Sequence, residues 1–131
     1  MSQKRIALSI KQPWATLIVH GIKQVELRRW STNRSGWIFI HTGRSIDQNP
    51  AGWAFVPREL NEFAHQTGGV IGKARLAGCR EYKTLAEFSG DRRLHRAPDG
   101  FFVPPIFGFL FVQASVVPFE PRKGNLYFFE I

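Results

Sequence analysis

The sequence predicts a small α+β domain built on a curved sheet or open β-barrel, with two or three short helices. Alternating apolar residues mark several strands, short segments with helical spacing lie between them, and glycine or proline separates the elements. At 131 residues, of which 44% are hydrophobic, the chain is long enough for one core. Because no repeat or linker divides it, residues 1–131 are predicted to form a single domain.

The N-terminal part of the chain predicts three strands and one helix. Apolar residues alternate over residues 6–10, as in a strand with one buried face. Pro13 is placed to open a short amphipathic helix because its fixed φ suits the first helical position, and Gly21 is placed to end it. Two further strands are predicted, over residues 25–28 and 37–41.

The middle of the chain predicts a loop, a second helix and a long strand. Residues 43–57 are rich in Gly, Pro and Asn, which is typical of a loop. Pro57 and the apolar residues after it predict a helix that ends at a Gly-Gly pair. Residues 70–80 predict a strand in which Gly72 and Gly78 indicate a bulge or a close backbone approach.

The C-terminal part predicts a capped helical turn, a charged loop and two strands. Thr84 and Glu87 form a candidate capping box. Residues 89–100 are polar and rich in arginine, which predicts a mobile basic loop. The elements beyond it are an apolar strand, a turn and a closing strand, over residues 107–117, 118–124 and 126–131.

The charge balance favours a polyanionic partner. Eighteen Lys and Arg residues against ten Asp and Glu give a net charge of +8, which suits nucleic acid, although the charge can also serve solubility alone. Cys79 is the one cysteine, so no internal disulfide can form and a reducing compartment is expected. No signal peptide or membrane span is visible, and we expect a cytoplasmic protein without a membrane partner.

The most informative pattern is G-x-K-x-x-E-x-R, formed by Gly21, Lys23, Glu26 and Arg28. It places three charged side chains where the first helix ends and the second strand begins. A lysine, a carboxylate and a guanidinium at such a point can bind phosphate and base edges together. The sequence therefore predicts a basic cleft beside the first helix.

Each charged residue of this motif has a second interpretation. Lys23 can bind a phosphate or can merely cap carbonyl groups of the preceding helix. Glu26 and Arg28 lie two residues apart on one strand face, so they can form an ordinary ion pair. Alternatively, Glu26 accepts from a base amino group or acts as a general base, with Lys23 as its catalytic partner if the protein is an enzyme.

Aromatic and polar residues flanking the motif extend the candidate site. Trp30 is the better candidate for stacking on an unpaired base, since Trp14 lies on the inner stripe of the first helix and is more typical of a core. His41 and Arg44 follow the third strand, where they can contact phosphate, where His41 can act as an acid or base, or where they simply form a polar strand end.

Further polar and basic residues are candidates for the binding site. Lys11 and Gln12, just before Pro13, are included as candidate nucleic-acid-binding residues. Five other cations can extend a basic surface or can simply be solvated: Lys73, Arg75, Arg92, Arg93 and Arg96. The four histidines are too scattered to predict a metal site, and no P-loop or dinucleotide fingerprint is present, so no metal or cofactor is expected.

Several segments together resemble one family. The run LSIKQPWA, followed by HGIKQVELRRW and RSGWIFIH, resembles the activating signal cointegrator homology (ASCH) domain, whose fold is the PUA-like β-barrel. The segment GVIGKA at residues 69–74, with Leu76 and Cys79, resembles the central strand of that family, and PRKGNL at residues 121–126 resembles its last turn.

The resemblance implies a cleft containing Lys23, Glu26 and Arg28, and implies binding of RNA or another nucleic acid. As a binding module, the protein is expected to hold RNA or single-stranded nucleic acid through Lys23, Arg28 and the basic rim. It also implies an alternative, because some relatives are metal-independent ribonucleases. Another branch hydrolyses acetylcytidine, a modified nucleoside, using a lysine and a threonine at the positions of Lys23 and Glu26. A carboxylate at Glu26 cannot replace the hydroxyl nucleophile of that threonine, which disfavours the amidohydrolase activity here.

Overall fold

The computed structural model describes residues 4–131, so residues 1–3 of the predicted domain lie outside the described part. The strands are β1 (Ile6–Ser9), β2 (Val25–Arg28), β3 (Gly36–Thr42), β4 (Gly69–Glu81), β5 (Phe107–Pro121) and β6 (Phe129–Glu130). The α-helices are α1 (Trp14–Val19), α2 (Pro50–Trp53), α3 (Leu85–Gly90) and α4 (Arg92–His95). Single 3₁₀ turns span Arg58–Leu60, Phe63–His65 and Asp99–Phe101. In the described residues, every helix is too short to cross a membrane.

All six strands form one mixed sheet, in the order β2-β5-β4-β3-β1-β6. Strands β1 and β3 are parallel, and the other pairs are antiparallel. In a flat sheet, β1 and β2 would be about 19 Å apart, because four strand spacings separate them. Nevertheless, the Arg28 guanidinium on β2 donates a hydrogen bond to the backbone oxygen of Ser9 on β1. The sheet is therefore strongly curled without closing, which confirms the predicted open barrel.

Helix α1 fills the inside of this curl. The predicted end at Gly21 is confirmed by its φ of +73°, whereas Pro13, predicted at the first helical position, is the N-cap residue of a helix that begins at Trp14. The prediction of an amphipathic helix is wrong, because all six residues of α1 are buried. The curled sheet covers one side, while the 3₁₀ turn at Phe63–His65 packs on the helix from elsewhere, with the Phe63 ring 5.0 Å from the ring of His20. Gly52 of α2 lies against the Trp14 ring.

The two interior glycines of β4 differ in their surroundings. Register shifts occur beside both Gly72 and Gly78, which confirms the predicted irregularity. A Cβ atom at Gly72 would collide with the Val19 side chain and would lie 2.6 Å from the backbone oxygen of Ser115. At Gly78, a Cβ atom would meet nothing within 4 Å. Gly72 is thus required for the close packing of α1 on the sheet.

The region between β3 and β4 differs from the prediction in two places. The predicted loop over residues 43–57 contains α2, which Asn49 caps by accepting a hydrogen bond from the backbone N–H of Ala51 at 2.9 Å. The predicted helix after Pro57 is instead two 3₁₀ turns. Backbone bonds between residues three apart hold these turns, such as the one from the Gln66 N–H to the Phe63 oxygen at 3.1 Å. The Gln12 amide donates in addition to the backbone oxygens of Phe63 and Gln66.

Residues 89–100 are not the mobile basic loop that was predicted. The predicted capping box of Thr84 and Glu87 is confirmed and starts α3, and α4 follows directly. His95 at the end of α4 is fully buried and stacks on Phe88 with ring centroids 4.1 Å apart. This segment therefore packs on a second small core, which includes Tyr82 and Phe88.

The C-terminal strands also differ from their predicted lengths. Strand β5 continues to Pro121 through the predicted turn at residues 118–124. Pro118 is tolerated there because it lies opposite the irregular register beside Gly72, where the ladder does not need its missing N–H. Strand β6 contains only two residues, since Leu126 and Tyr127 of the predicted closing strand are exposed coil.

Candidate functional site

A cleft of about 440 Å³ opens where the curled sheet fails to close, between the end of β1 and strand β2. The three charged residues of the motif, Lys23, Glu26 and Arg28, belong to its lining. Its apolar lining is Ile10, Trp14, Leu27, Ala97 and Phe101. Its remaining lining is Ser9, Lys11, Gly43, Arg44, Ser45, Asn125 and Leu126. We call this cavity, which lies beside the first helix, the seam cleft.

The Glu26 carboxylate lies between the two cations of the motif. Its Oε2 atom is 3.2 Å from Nη2 of Arg28, and its Oε1 atom is 3.9 Å from Nζ of Lys23. The ion pair between Glu26 and Arg28 therefore exists. Lys23 and Glu26 are buried and Arg28 is partly buried, so solvent screens their mutual attraction less than that of a surface ion pair, while the cost of desolvation opposes it. Among the described residues, Nε of Arg28 is buried without a hydrogen-bond partner.

Lys23 is held from the opposite side by α4. Its ammonium donates a hydrogen bond to the backbone oxygen of His95 at 2.6 Å and lies 4.5 Å from the centroid of the Trp14 ring. The side chain therefore does not cap α1, although the backbone N–H of Lys23 does bond to the Leu17 oxygen at 3.0 Å. Sequence reasoning missed His95, because its partner is distant in the chain and nothing local marks a backbone oxygen.

The electrostatics of Lys23 follow from this burial. Desolvation lowers the pKa of Lys23 from 10.5 to about 8, Glu26 acts in the opposite direction, and Arg28 lowers the pKa further. At neutral pH the amine is therefore charged but loses its proton far more readily than an exposed lysine. It can serve as a cation for a bound anion, or as a proton donor.

His95 supports this arrangement through its ring. Its Nε2 atom is 2.7 Å from the Phe88 backbone oxygen, and its Nδ1 atom accepts from the Ala97 N–H at 3.0 Å. These partners assign the proton to Nε2 of a neutral ring. Burial lowers the pKa of His95, which keeps the ring neutral and the carbonyl that binds Lys23 in place.

The other predicted site residues fall into different places. Lys11 and Arg44 are exposed at the rim of the seam cleft. Gln12 is fully buried and does not line the cleft: its side-chain oxygen accepts from the N–H and hydroxyl of Thr16, at 3.0 and 2.7 Å. Gln12 therefore positions α1 and does not face a ligand.

The two predicted stacking residues also separate. Trp14 is a buried core residue that contributes one wall of the seam cleft and donates its indole N–H to Asp47 at 2.7 Å. Trp30 does not line the cleft. Its half-buried ring packs edge-on against the rings of Phe109, Tyr127 and Phe128, so its outer face is the part left for stacking.

His41 is buried and lines a second cavity, next to the seam cleft. Its Nε2 atom is 2.7 Å from the Arg122 backbone oxygen, and its Nδ1 atom is 2.8 Å from the Ser9 hydroxyl. With the proton on Nε2, the serine donates to Nδ1. Both ring nitrogens are occupied, so His41 does not contact a phosphate directly. Ser9, which the sequence analysis missed, lines both cavities.

The five remaining predicted cations line neither cavity. Arg96, for example, donates to the Ile22 backbone oxygen at 2.9 Å, and Lys73 lies over the ring of Trp37. Within residues 4–131, no three His, Cys, Asp or Glu side chains cluster closely enough to hold a metal ion. The groups that these described residues offer for chemistry are one buried carboxylate, one buried and one partly buried cation, and a serine–histidine pair.

Comparison with solved structures shows the class of fold. A crystal structure of ASCH from Zymomonas mobilis matches with a TM-score of 0.69 at 18% identity, covering 99% of this chain and 89% of that chain. A mutant of the same protein matches with a TM-score of 0.68 at 16% identity, covering 98% and 91%. Together with the open six-stranded sheet, these matches show an α+β PUA-like fold.

Sequence comparison then shows the family. A family model described as ASCH domain matches residues 8–107. Activating signal cointegrator 1 from Mus musculus is 33% identical over 126 residues, and that from Homo sapiens is 32% identical over 126 residues, in each case over 90% of this chain. The chain belongs to the ASCH domain family. It spans 21% of the length of each of these two relatives.

Proposed function

We propose that this protein binds RNA through an unpaired base in the seam cleft. The observation that carries the proposal is the buried Lys23–Glu26–Arg28 network inside an apolar-walled cleft whose rim bears exposed cations. The association of the ASCH family with RNA binding supports it, as does the net charge of +8.

The lining of the cleft suits a base more than a phosphodiester. Its volume of about 440 Å³ accommodates a single nucleoside, and its apolar walls fit the faces of a planar ring. The Glu26 carboxylate accepts from an exocyclic amino group, while Arg28 donates to a ring nitrogen or a carbonyl oxygen. A stacked duplex cannot offer a base to such a cleft, so the proposed ligand is a single strand or a loop.

The rim supplies the electrostatic part of the affinity. Lys11 and Arg44 are exposed, and neither has a carboxylate within salt-bridge distance among the described residues. Two such contacts with phosphates of a single strand give a slope of about −1.4 in a plot of log affinity against log salt concentration.

The test is fluorescence anisotropy with an end-labelled RNA, single-stranded or fully paired, in the presence of a chelator. We expect the single strand to bind more tightly, and the double substitution Lys11→Ala and Arg44→Ala to weaken binding and flatten the salt dependence. Substitution of Arg92 and Arg93 by alanine is the matched control, because it removes the same charge from exposed positions outside the cleft. Equal losses in both double variants would contradict the proposal.

A hydrolytic activity is the second candidate, and the Ser9–His41 hydrogen bond favours it. Glu26 cannot be an oxygen nucleophile of the hydroxyl type, but Ser9 lines the same cleft and donates to a histidine that a third group orients. In an acyl transfer from a modified nucleoside, Ser9 Oγ would bond to the acyl carbon while His41 took its proton. The proton would then pass to the departing amine, and water would release the acyl group.

A metal-independent ribonuclease is the other form of this candidate. Glu26 would take the proton of a ribose 2′-hydroxyl, whose oxygen attacks the neighbouring phosphorus, and Lys23 would stabilise the negative charge that develops. A denaturing gel of the RNA from the anisotropy samples distinguishes binding from cleavage of the RNA strand. Intact RNA supports a binding module, whereas shortened RNA that depends on Glu26 would establish the nuclease.

A further inference from the structure

A second cavity, of about 980 Å³, adjoins the seam cleft. The two share part of their lining, namely Ser9, Gly43, Arg44, Asn125 and Leu126. The second cavity is otherwise lined by His41, Gly68, Pro121, Arg122, Lys123 and Gly124. A molecule that leaves the seam cleft past Arg44 therefore enters a space bordered by two further cations.

The segment that separates the two cavities, residues 122–126, is held firmly although it has no regular secondary structure. His41 binds the backbone oxygen of Arg122 from below. Gly124 lies so close to this pair that a Cβ atom there would come within 2.6 Å of the His41 ring and 2.7 Å of the Ser9 hydroxyl. This packing fixes the backbone, so the side chains of the segment project from a defined position.

The two cations of the segment differ in their restraint. The Arg122 Nε atom donates to Glu120 at 2.7 Å, and Glu120 is itself paired with Arg5 at 3.3 Å. This chain of contacts orients the guanidinium and leaves its terminal nitrogens for a ligand. Lys123 is exposed, and no carboxylate lies within salt-bridge distance of it in residues 4–131.

Leu126 adds an apolar surface between the two cavities. Its side chain is 79% exposed and contributes to the lining of both. A single exposed leucine is ordinary on its own. Here it lies between cationic groups, where it can contact the face or the sugar of a nucleotide that passes from one cavity to the other.

We propose that the second cavity binds the continuing phosphodiester chain of a single-stranded RNA whose base occupies the seam cleft. This inference rests on the proposed function and makes it more specific. The ligand is an oligonucleotide of at least three nucleotides, with Arg44 at the junction and Arg122 and Lys123 contacting phosphates beyond it. A free nucleoside would fill only the seam cleft and would leave these two cations unused.

The test compares an end-labelled RNA hexamer of mixed sequence with unlabelled nucleoside monophosphates as competitors. Substitution of Arg122 and Lys123 by alanine removes two phosphate contacts. The slope of log affinity against log salt concentration for the hexamer should then become shallower by about 1.4. Between 50 and 200 mM salt, the factor by which the affinity of the variant falls should therefore be about sevenfold smaller than for wild type. The concentration of monophosphate that occupies the seam cleft stays unchanged, because that cleft is intact.

Two further variants make the result specific. Lys123→Ala alone avoids freeing Glu120 and lowers the slope by about 0.7. The Arg92→Ala, Arg93→Ala protein removes the same charge from outside both cavities and retains the wild-type slope. If the Arg122, Lys123 variant matches wild type, the second cavity is not an RNA site while the proposed function stands. If wild type binds no RNA at low salt, both are overturned.

Discussion

Replacement of Lys23 by methionine tests whether the ammonium inside the seam cleft is held at the expense of stability. Methionine keeps most of the side-chain volume and removes the titrating group. In the folded protein, burial lowers the pKa of Lys23 to about 8, whereas the unfolded chain retains the ordinary value of 10.5. The variant and wild type should therefore differ in how their stabilities depend on pH.

The magnitude follows from the difference between the two pKa values. Between about pH 8 and 10.5, the unfolded chain keeps a proton on Lys23 that the folded chain has released, so the free energy of unfolding rises with pH. Across this window, wild type gains about 3 kcal/mol relative to Lys23→Met, because each pKa unit corresponds to 1.36 kcal/mol. Below pH 8 the difference between the two proteins is constant. RNA binding should weaken above pH 8, as the cleft loses this positive charge.

The assay is urea unfolding of both proteins from pH 7 to pH 10.5, followed by tryptophan fluorescence. Groups that titrate in both proteins cancel in the difference between their unfolding free energies. Lys83→Met is the control, because it removes an ammonium from an exposed position. Its free energy of unfolding, plotted against pH, should run parallel to that of wild type. If Lys23→Met also runs parallel to wild type across this range, the burial argument is refuted.

Three further substitutions, in two tests, probe the packing of the molecule by urea unfolding. Gly72→Ala should cost about 1–3 kcal/mol, because its methyl group collides with α1, whereas Gly78→Ala at an open position should change stability by less than about 0.5 kcal/mol. Equal costs would contradict the packing argument. His95→Leu should cost roughly 2–4 kcal/mol, since it leaves the Phe88 oxygen and the Ala97 N–H unpaired, and should also weaken RNA binding; unchanged stability would show that these bonds are not needed.

The sequence predicts the elements around the motif well because their signals are local. Proline and glycine mark the ends of α1, and strands occur on either side of it where alternation predicts them. The prediction that β1 has one buried face is wrong, because the neighbouring residues Ala7 and Leu8 are both fully buried. The spacing of Lys23, Glu26 and Arg28 likewise predicts that they lie close together. Glu26 and Arg28 share one face of β2, and Lys23 lies just before that strand.

What the sequence does not predict depends on contacts between distant segments. Lys23 and His95 are separated by 72 positions, and the burial of His95 converts an arginine-rich segment into ordered helix. Gln12 shows the opposite error: it lies within the family-like run, but its side chain turns inward to the carbonyls of residues 63 and 66. Local patterns report the backbone path more reliably than the direction of a polar side chain.

The hydrogen bond from Arg28 to Ser9 crosses the gap between the edge strand β2 and the end of β1, where β6 no longer pairs with β1. A ligand in the seam cleft would contact residues on both sides of this gap, so it would link β2 to β1 across the opening of the barrel. Its binding energy then opposes the separation of β2 from the rest of the sheet, and the amide hydrogens of β2 should exchange more slowly when RNA is bound. Release of the ligand is correspondingly linked to the opening of the barrel itself.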